Sequence, residues 1–153
     1  HGLISAALFL CVGVVYDRTH TRDISVLQGL SKRMGVTSIL FAIAGLTSLG
    51  LPGFSGFIAE VLVFIGLFRT YPLIGVLGVI GALITVVYIL RLLAKVFFGP
   101  IDDRWKNLPD CTQLEGITMA CLGALLIFGG IYPQPFTGVI DSGILPILQK
   151  VAL

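Results

Sequence analysis

Four apolar runs dominate the pattern along the chain, at residues 2–16, 36–68, 72–98 and 117–132, and the segments between them hold most of the charged and turn-forming residues. The second and third easily exceed the roughly 17–25 residues that cross a bilayer as a helix, the first is cut short by the start of the chain, and the fourth fits with tilt or local thinning. No alternating pattern of about ten residues suggests a barrel. The pattern predicts an all-α, polytopic transmembrane helix bundle, with residues 1–132 forming helices over about 2–16, 36–69, 72–98 and 117–132.

The second run carries a break, SLGLPGFSGFIAE at residues 48–60, with three glycines, a proline and a carboxylate. Residues 36–50 and 57–69 make half-helices of only about 22 and 20 Å, too short for ~30 Å of hydrocarbon. Either one discontinuous helix crosses once, broken at 51–56, or a hairpin enters and returns. Pro52 disfavours helix at Leu51 and has no N–H to donate, so it ends the first half, and Ser55 suits the cap of the second.

Charge distinguishes the two topologies, because short cytoplasmic loops carry the Lys and Arg excess. A single crossing places Arg18, Arg22, Lys32, Arg33, Arg91, Lys95, Arg104 and Lys106 on one side against Arg69 and Lys150, eight to two, whereas a hairpin leaves six to four. Four crossings follow, with residues 17–35 and 99–115 cytoplasmic and residues 69–71 and the C-terminus outside. The tail, residues 133–153, spaces Ile140, Ile144, Ile147, Leu148 and Val151 at near-helical intervals, which predicts an amphipathic segment lying on the outer face.

Composition agrees. The 153 residues are 56% hydrophobic and 12% charged, against roughly 45–50% and 25% in soluble domains. The formal charge of +2 comes from cations at segment ends, and no basic patch with interleaved aromatics marks a nucleic-acid partner. The chain opens on His1 and enters an apolar run without a signal-peptide n-region, so it reads as an internal or C-terminal portion of a longer protein. Cys11, Cys111 and Cys121 form no CxxC pair and read as small buried apolar residues, with no metal site implied. Small residues at Gly75, Gly78, Gly81 and Ala82, and at Gly116, Ala120 and Ala124, read as close helix packing. Arg91 and Lys95 snorkel at the cytoplasmic end of their helix, and YDRTHTRD, residues 16–23, reads as a solvated loop.

Two titratable groups lie at membrane depth and are functional candidates for that reason. Glu60 precedes Arg69 by about 14 Å of helix rise, near mid-membrane. A carboxyl there takes and releases protons, with a structural ion pair as the alternative. His1 lies within about 6 Å of the same depth and fits either a proton relay through its two ring nitrogens or a packing donor. The break beside Glu60 implies a wet interior, because unwound backbone at depth needs protein or water partners.

HGLISAALFLCVGVVYDRTHTRD at 1–23, LTSLGLPGFSGFIAE at 46–60, VYILRLLAKVFFGP at 87–100 and IYPQPF at 131–136 resemble the M-type, antiporter-like proton-pumping subunit of respiratory complex I, whose mitochondrial counterpart is chain 4. The resemblance runs over essentially the whole chain. It implies the C-terminal portion of that subunit, with the second run as the discontinuous helix of an inverted repeat, and it places Glu60 at the acid of that helix and His1 at a histidine feeding the same hydrophilic axis. Related L-type and N-type subunits usually carry lysine where Glu60 stands. The implied activity is proton translocation in NADH-quinone oxidoreductase, in an energy-transducing membrane that is the bacterial plasma membrane or an organellar one. The implied partners are other membrane-arm subunits, including L-type and N-type ones, and the lipid bilayer. No cofactor is implied in this chain, while the complex uses NADH, FMN, iron–sulfur clusters and quinone elsewhere. A multisubunit cation/proton antiporter, a membrane-bound hydrogenase and a purely structural scaffold are the alternatives.

Overall fold

A computed structural model describes residues 1–151, with side chains to residue 150. Among the described residues every regular element is helical: α1 (Gly2–Thr19), α2 (Gly35–Ser48), α3 (Ser55–Thr70), α4 (Pro72–Val96), α5 (Gln113–Ile131) and α6 (Gln134–Val151), with 3-10 turns at Leu30–Lys32 and Asp103–Trp105. Helices α1, α4 and α5 are each long and apolar enough to cross a membrane, and α2 is a shorter apolar helix. The chain is a polytopic membrane helix bundle.

Helix ends differ from the sequence expectation where capping decides them. Helix α5 starts four residues before residue 117, because Thr112 and Glu115 form a reciprocal capping box: the Thr112 hydroxyl accepts from the Glu115 N–H, and the Glu115 carboxylate accepts from the Thr112 N–H. Its 19 residues rise about 28 Å, so this helix needs no thinned bilayer. Helix α1 runs on to Thr19 and closes at His20, whose φ of 52° is left-handed, so the first four residues of YDRTHTRD are helical rather than loop. Helix α4 ends at Val96 rather than residue 98.

The break falls at 49–54, two residues earlier than 51–56. Gly50 N–H donates to Thr47 O at 3.1 Å and Leu51 N–H to Leu46 O at 3.2 Å, the paired reverse bonds that close a helix around a left-handed residue. Gly50 supplies that conformation, with φ of 64°. Pro52 thus follows a helix end already made. Ser55 is not the cap it was expected to be: Phe54 holds the cap position in extended conformation, without a side-chain bond, and Ser55 is the first helical residue.

Helix α4 packs against both halves of the broken run. Its early Gly75 and Gly78 face Phe68 and Phe64 of α3, while Ile89 and Leu93, three turns on, face Gly45 of α2. Both halves therefore lie in series along one continuous helix. They also overlap briefly, since a Cβ on Gly56 would strike the Thr47 carbonyl and one on Gly50 would strike the Glu60 carboxylate. The small-residue stripe of α4 is partly consumed by this packing, with Gly81 left open.

The core sits where α1, α2, α4 and α5 meet, around Cys11, Val14, Met34, Phe41, Ile89, Leu93, Phe97 and Met119. A smaller cluster of Ala7, Ala44 and Leu126 lies toward the break. Cys11 is buried against the Met119 sulfur at 3.4 Å and Cys111 is half-buried, but Cys121 is exposed on α5, against the expectation of burial. Arg91 and Lys95 are exposed, as snorkelling side chains are.

The connecting segments gather at one end. Arg18 pairs with Glu115 through bonds of 2.9 and 2.5 Å, with side chains 10% and 25% exposed. Asp110 caps α2 from a distant segment, accepting from the Val36 N–H at 2.8 Å, the Thr37 hydroxyl at 2.7 Å and its neighbour Cys111 N–H at 2.7 Å. Burial pushes the Asp110 carboxyl up, but these bonds outweigh it and hold it below the usual carboxylate range. Trp105 Nε1 donates to Val26 O, and the Ser31 hydroxyl to Phe97 O. Residues 17–35 and 99–112 are thereby stitched into one polar face.

Candidate functional site

The other end of the bundle holds a half-open cavity of about 460 Å³ between the start of α1, the break, the end of α5 and the first turns of α6. His1 and Glu60 both line it, which brings together the two titratable groups singled out from the sequence. Glu60 is half-buried and His1 exposed.

Each is placed by local structure. Glu60 stands in the second turn of α3, and because α3 begins beside the last turn of α2, its carboxylate lies against Gly50. The absence of a side chain at Gly50 makes that space. His1 stands at the start of α1, where its Nδ1 is 3.5 Å from the Ser5 hydroxyl one turn on. Helix α1 runs antiparallel to α5, with Arg18 against Glu115 at one end and Cys11 against Met119 further along, which carries His1 to the level of the break.

Sequence reasoning had missed the hydroxyl groups. Ser5, Thr47, Ser48, Ser55 and Thr137 line the same cavity, and the signal was available: Thr47, Ser48 and Ser55 are polar residues inside an apolar run. Thr47 spends its hydroxyl on Ile43 O at 2.7 Å and is fully buried, so it braces the end of α2. The Thr137 hydroxyl lies 3.3–3.4 Å from the Gln134 and Pro133 carbonyls. The wall contributed by α6 was also unforeseen: Phe136 packs near Gly129 and edge-on to Phe128, centroids 6.2 Å apart.

A cavity of this size, with a carboxyl, an imidazole and several hydroxyls on otherwise apolar walls, has room and partners for several ordered waters. Groups of these types are chemically able to exchange protons through bound water. Among the described residues no group of three or more His, Cys, Asp or Glu side chains converges on a metal position.

Comparison with known proteins bears on this arrangement. The family described as NADH:quinone oxidoreductase/Mrp antiporter, TM, matches residues 1–85. The chain is 37% identical over 151 residues to NADH-quinone oxidoreductase subunit M of Rhodobacter capsulatus, covering 98% of this chain and 30% of that protein. It is 38% identical over 152 residues to NAD(P)H-quinone oxidoreductase chain 4 2 of Synechococcus sp. (strain JA-2-3B'a(2-13)), covering 93% and 28% respectively. The chain thus spans about 30% of the length of these curated relatives. In structure it is similar to a chain of the membrane-bound sulfane sulfur reductase, an archaeal respiratory membrane complex, with a TM-score of 0.81 and 28% identity over 87% of this chain and 22% of that one.

Proposed function

The chain belongs to the NADH:quinone oxidoreductase/Mrp antiporter transmembrane family, and on that premise we propose that it forms part of a membrane-arm subunit that translocates protons, coupled to quinone reduction elsewhere in an NADH-quinone oxidoreductase. NADH, FMN, iron–sulfur clusters and quinone act in other parts of that complex. The partners are the neighbouring membrane-arm subunits, L-type and N-type antiporter-like subunits among them, in the bacterial plasma membrane or an organellar counterpart.

One observation carries the reading: Glu60 and His1 face a single cavity beside the helix break. Glu60 accepts a proton through water in that cavity when the charge on its partners along the axis favours it, and releases the proton toward the outer side when that charge changes. His1 passes protons to or from Glu60 through either ring nitrogen. Unwound backbone between α2 and α3 keeps water at this depth, where an unbroken helix would exclude it. Helix α6 lies along the outer face as an interfacial segment.

Glu60→Gln in the complete complex tests this. It keeps size and hydrogen-bonding capacity but cannot ionise, so protons pumped per electron should fall while the redox chemistry of the peripheral arm persists. Normal pumping with normal electron transfer would sink the assignment.

The family description also names the Mrp antiporter, and the likeness to a chain of another respiratory membrane complex shows that the fold is not confined to NADH-quinone oxidoreductase. Both support a second reading, in which the same proton device serves a related complex such as a multisubunit cation/proton antiporter or a membrane-bound hydrogenase. Co-purification separates the two, because a complex without a quinone-reducing arm excludes the first.

A further inference from the structure

The last turn of α5 sets two adjacent glycines, Gly129 and Gly130, against the break between α2 and α3. A Cβ on Gly130 would collide with the main chain of the break, striking the Phe54 carbonyl carbon, Phe54 Cα and the Gly53 oxygen together. A Cβ on Gly129 would lie 3.1 Å from the Ser55 Cβ, with the ring of Phe136 beyond it. The two obstacles differ in kind. A small shift relieves the contact at Gly129, whereas Gly53 and Phe54 meet Gly130 with backbone and withdraw only if the break itself moves.

The break is also tied down from within. Gly50 and Leu51 donate back into α2, and the Phe54 N–H donates to Leu51 O at 3.2 Å. Just past Phe54, Gly56 is buried against the Thr47 carbonyl. The start of α3 is therefore clasped between the ends of α2 and α5. Glu60 follows on the same helix, in its second turn, so the place where the break rests on α5 sets where the carboxyl enters the cavity.

We propose, resting on the reading of Glu60 as a proton carrier, that Gly130 is its positioning residue: the bare backbone there is the seat on which α5 holds the break, and the seat stays occupied while protons pass. Glu60 then exchanges protons from a fixed place, through water and rotation of its own side chain, without α3 lifting from α5.

The test uses the complete complex reconstituted in liposomes. Gly130→Ala should lower protons pumped per electron about twofold or more, as expected when a reacting group is displaced by an ångström or so. The infrared carboxyl band that disappears in Glu60→Gln should change position in Gly130→Ala. A ratio that holds, or a band that does not move, would overturn the positioning role. If the alanine blocks assembly, Ser55→Cys with Gly129→Cys decides, since Cβ atoms this close are within reach of a disulfide. Oxidised and reduced forms of that pair should pump equally, with Gly129→Cys alone, treated identically, as the control for other thiols. Failure of the bridge to form, or pumping that stops on oxidation and returns on reduction, would show the break away from α5 and overturn the proposal. Normal pumping in Glu60→Gln would instead remove the proton-carrier reading, so the two failures are told apart.

Discussion

The carboxylate of Glu60 occupies the space that a side chain at Gly50 would need. Gly50 also adopts φ of 64° to close α2, so one position is constrained twice, by its backbone and by the acid. Gly50→Ala should cost about 1–2 kcal/mol for the left-handed backbone and a further ~1–3 kcal/mol for displacing the carboxylate. In a Glu60→Ala background only the first part should remain. Thermal unfolding of the four proteins of this cycle measures the difference, and an unchanged cost would show that the two residues are not coupled.

Gly56→Ala should be worse tolerated than Gly50→Ala. The obstacle at Gly56 is the Thr47 carbonyl, which belongs to the backbone at the end of α2 and cannot rotate away as a carboxylate can. The expected result is a drop in stability at the upper end of the ~1–3 kcal/mol range for overpacking, with loss of pumping because α3 and Glu60 shift together. Retained stability would mean that α2 and α3 do not overlap.

Glu60→Asp should retain more pumping than Glu60→Gln, since it keeps an ionisable group in the same cavity although its carboxyl is one methylene shorter. Proton-to-electron ratios in the complete complex decide this. Equal loss in both would assign Glu60 a shape-dependent structural role.

Arg18→Ala should destabilise the bundle by about 1–3 kcal/mol, as expected for charge-assisted hydrogen bonds in a partly shielded place. The two bonds to Glu115 tie α1 to α5, so amide exchange at the start of α5 should accelerate while exchange around Glu60 holds.

Asp110 gives a pH signature at the polar face. Its folded carboxyl lies below the ordinary range, so its contribution is fully present above the unfolded value of about 3.9 and is lost as pH falls through the lower folded value. Amide protection at Val36 and Thr37 should decline over that window. In Asp110→Asn it should be weaker throughout and flat with pH; an unchanged slope would put the dependence on another group.

Much of the fold was legible from the chain because the bilayer imposes a simple rule: about twenty apolar residues per crossing. The eight-to-two distribution of Lys and Arg favours a single broken crossing, and in the structure α4 packs along both halves of the broken run. Local capping was harder to read, since Gly50 rather than Pro52 ends α2, and Thr112 with Glu115 begins α5 before its apolar stretch. These ends depend on backbone bonds that periodicity does not report.

By itself the sequence determined the all-helical bundle, the break and the two titratable groups, because hydropathy, Gly and Pro chemistry and the cost of a charge in hydrocarbon are properties of residues in order. Only the tertiary structure decided that α3 starts beside the last turn of α2, that α1 carries His1 to the same level, and that α6 closes the wall. Those facts depend on which surfaces fit, such as Gly56 on Thr47 and Gly129 beneath Phe136. Glu60 and His1 are 59 positions apart in the sequence, and only helix packing sets them around one cavity.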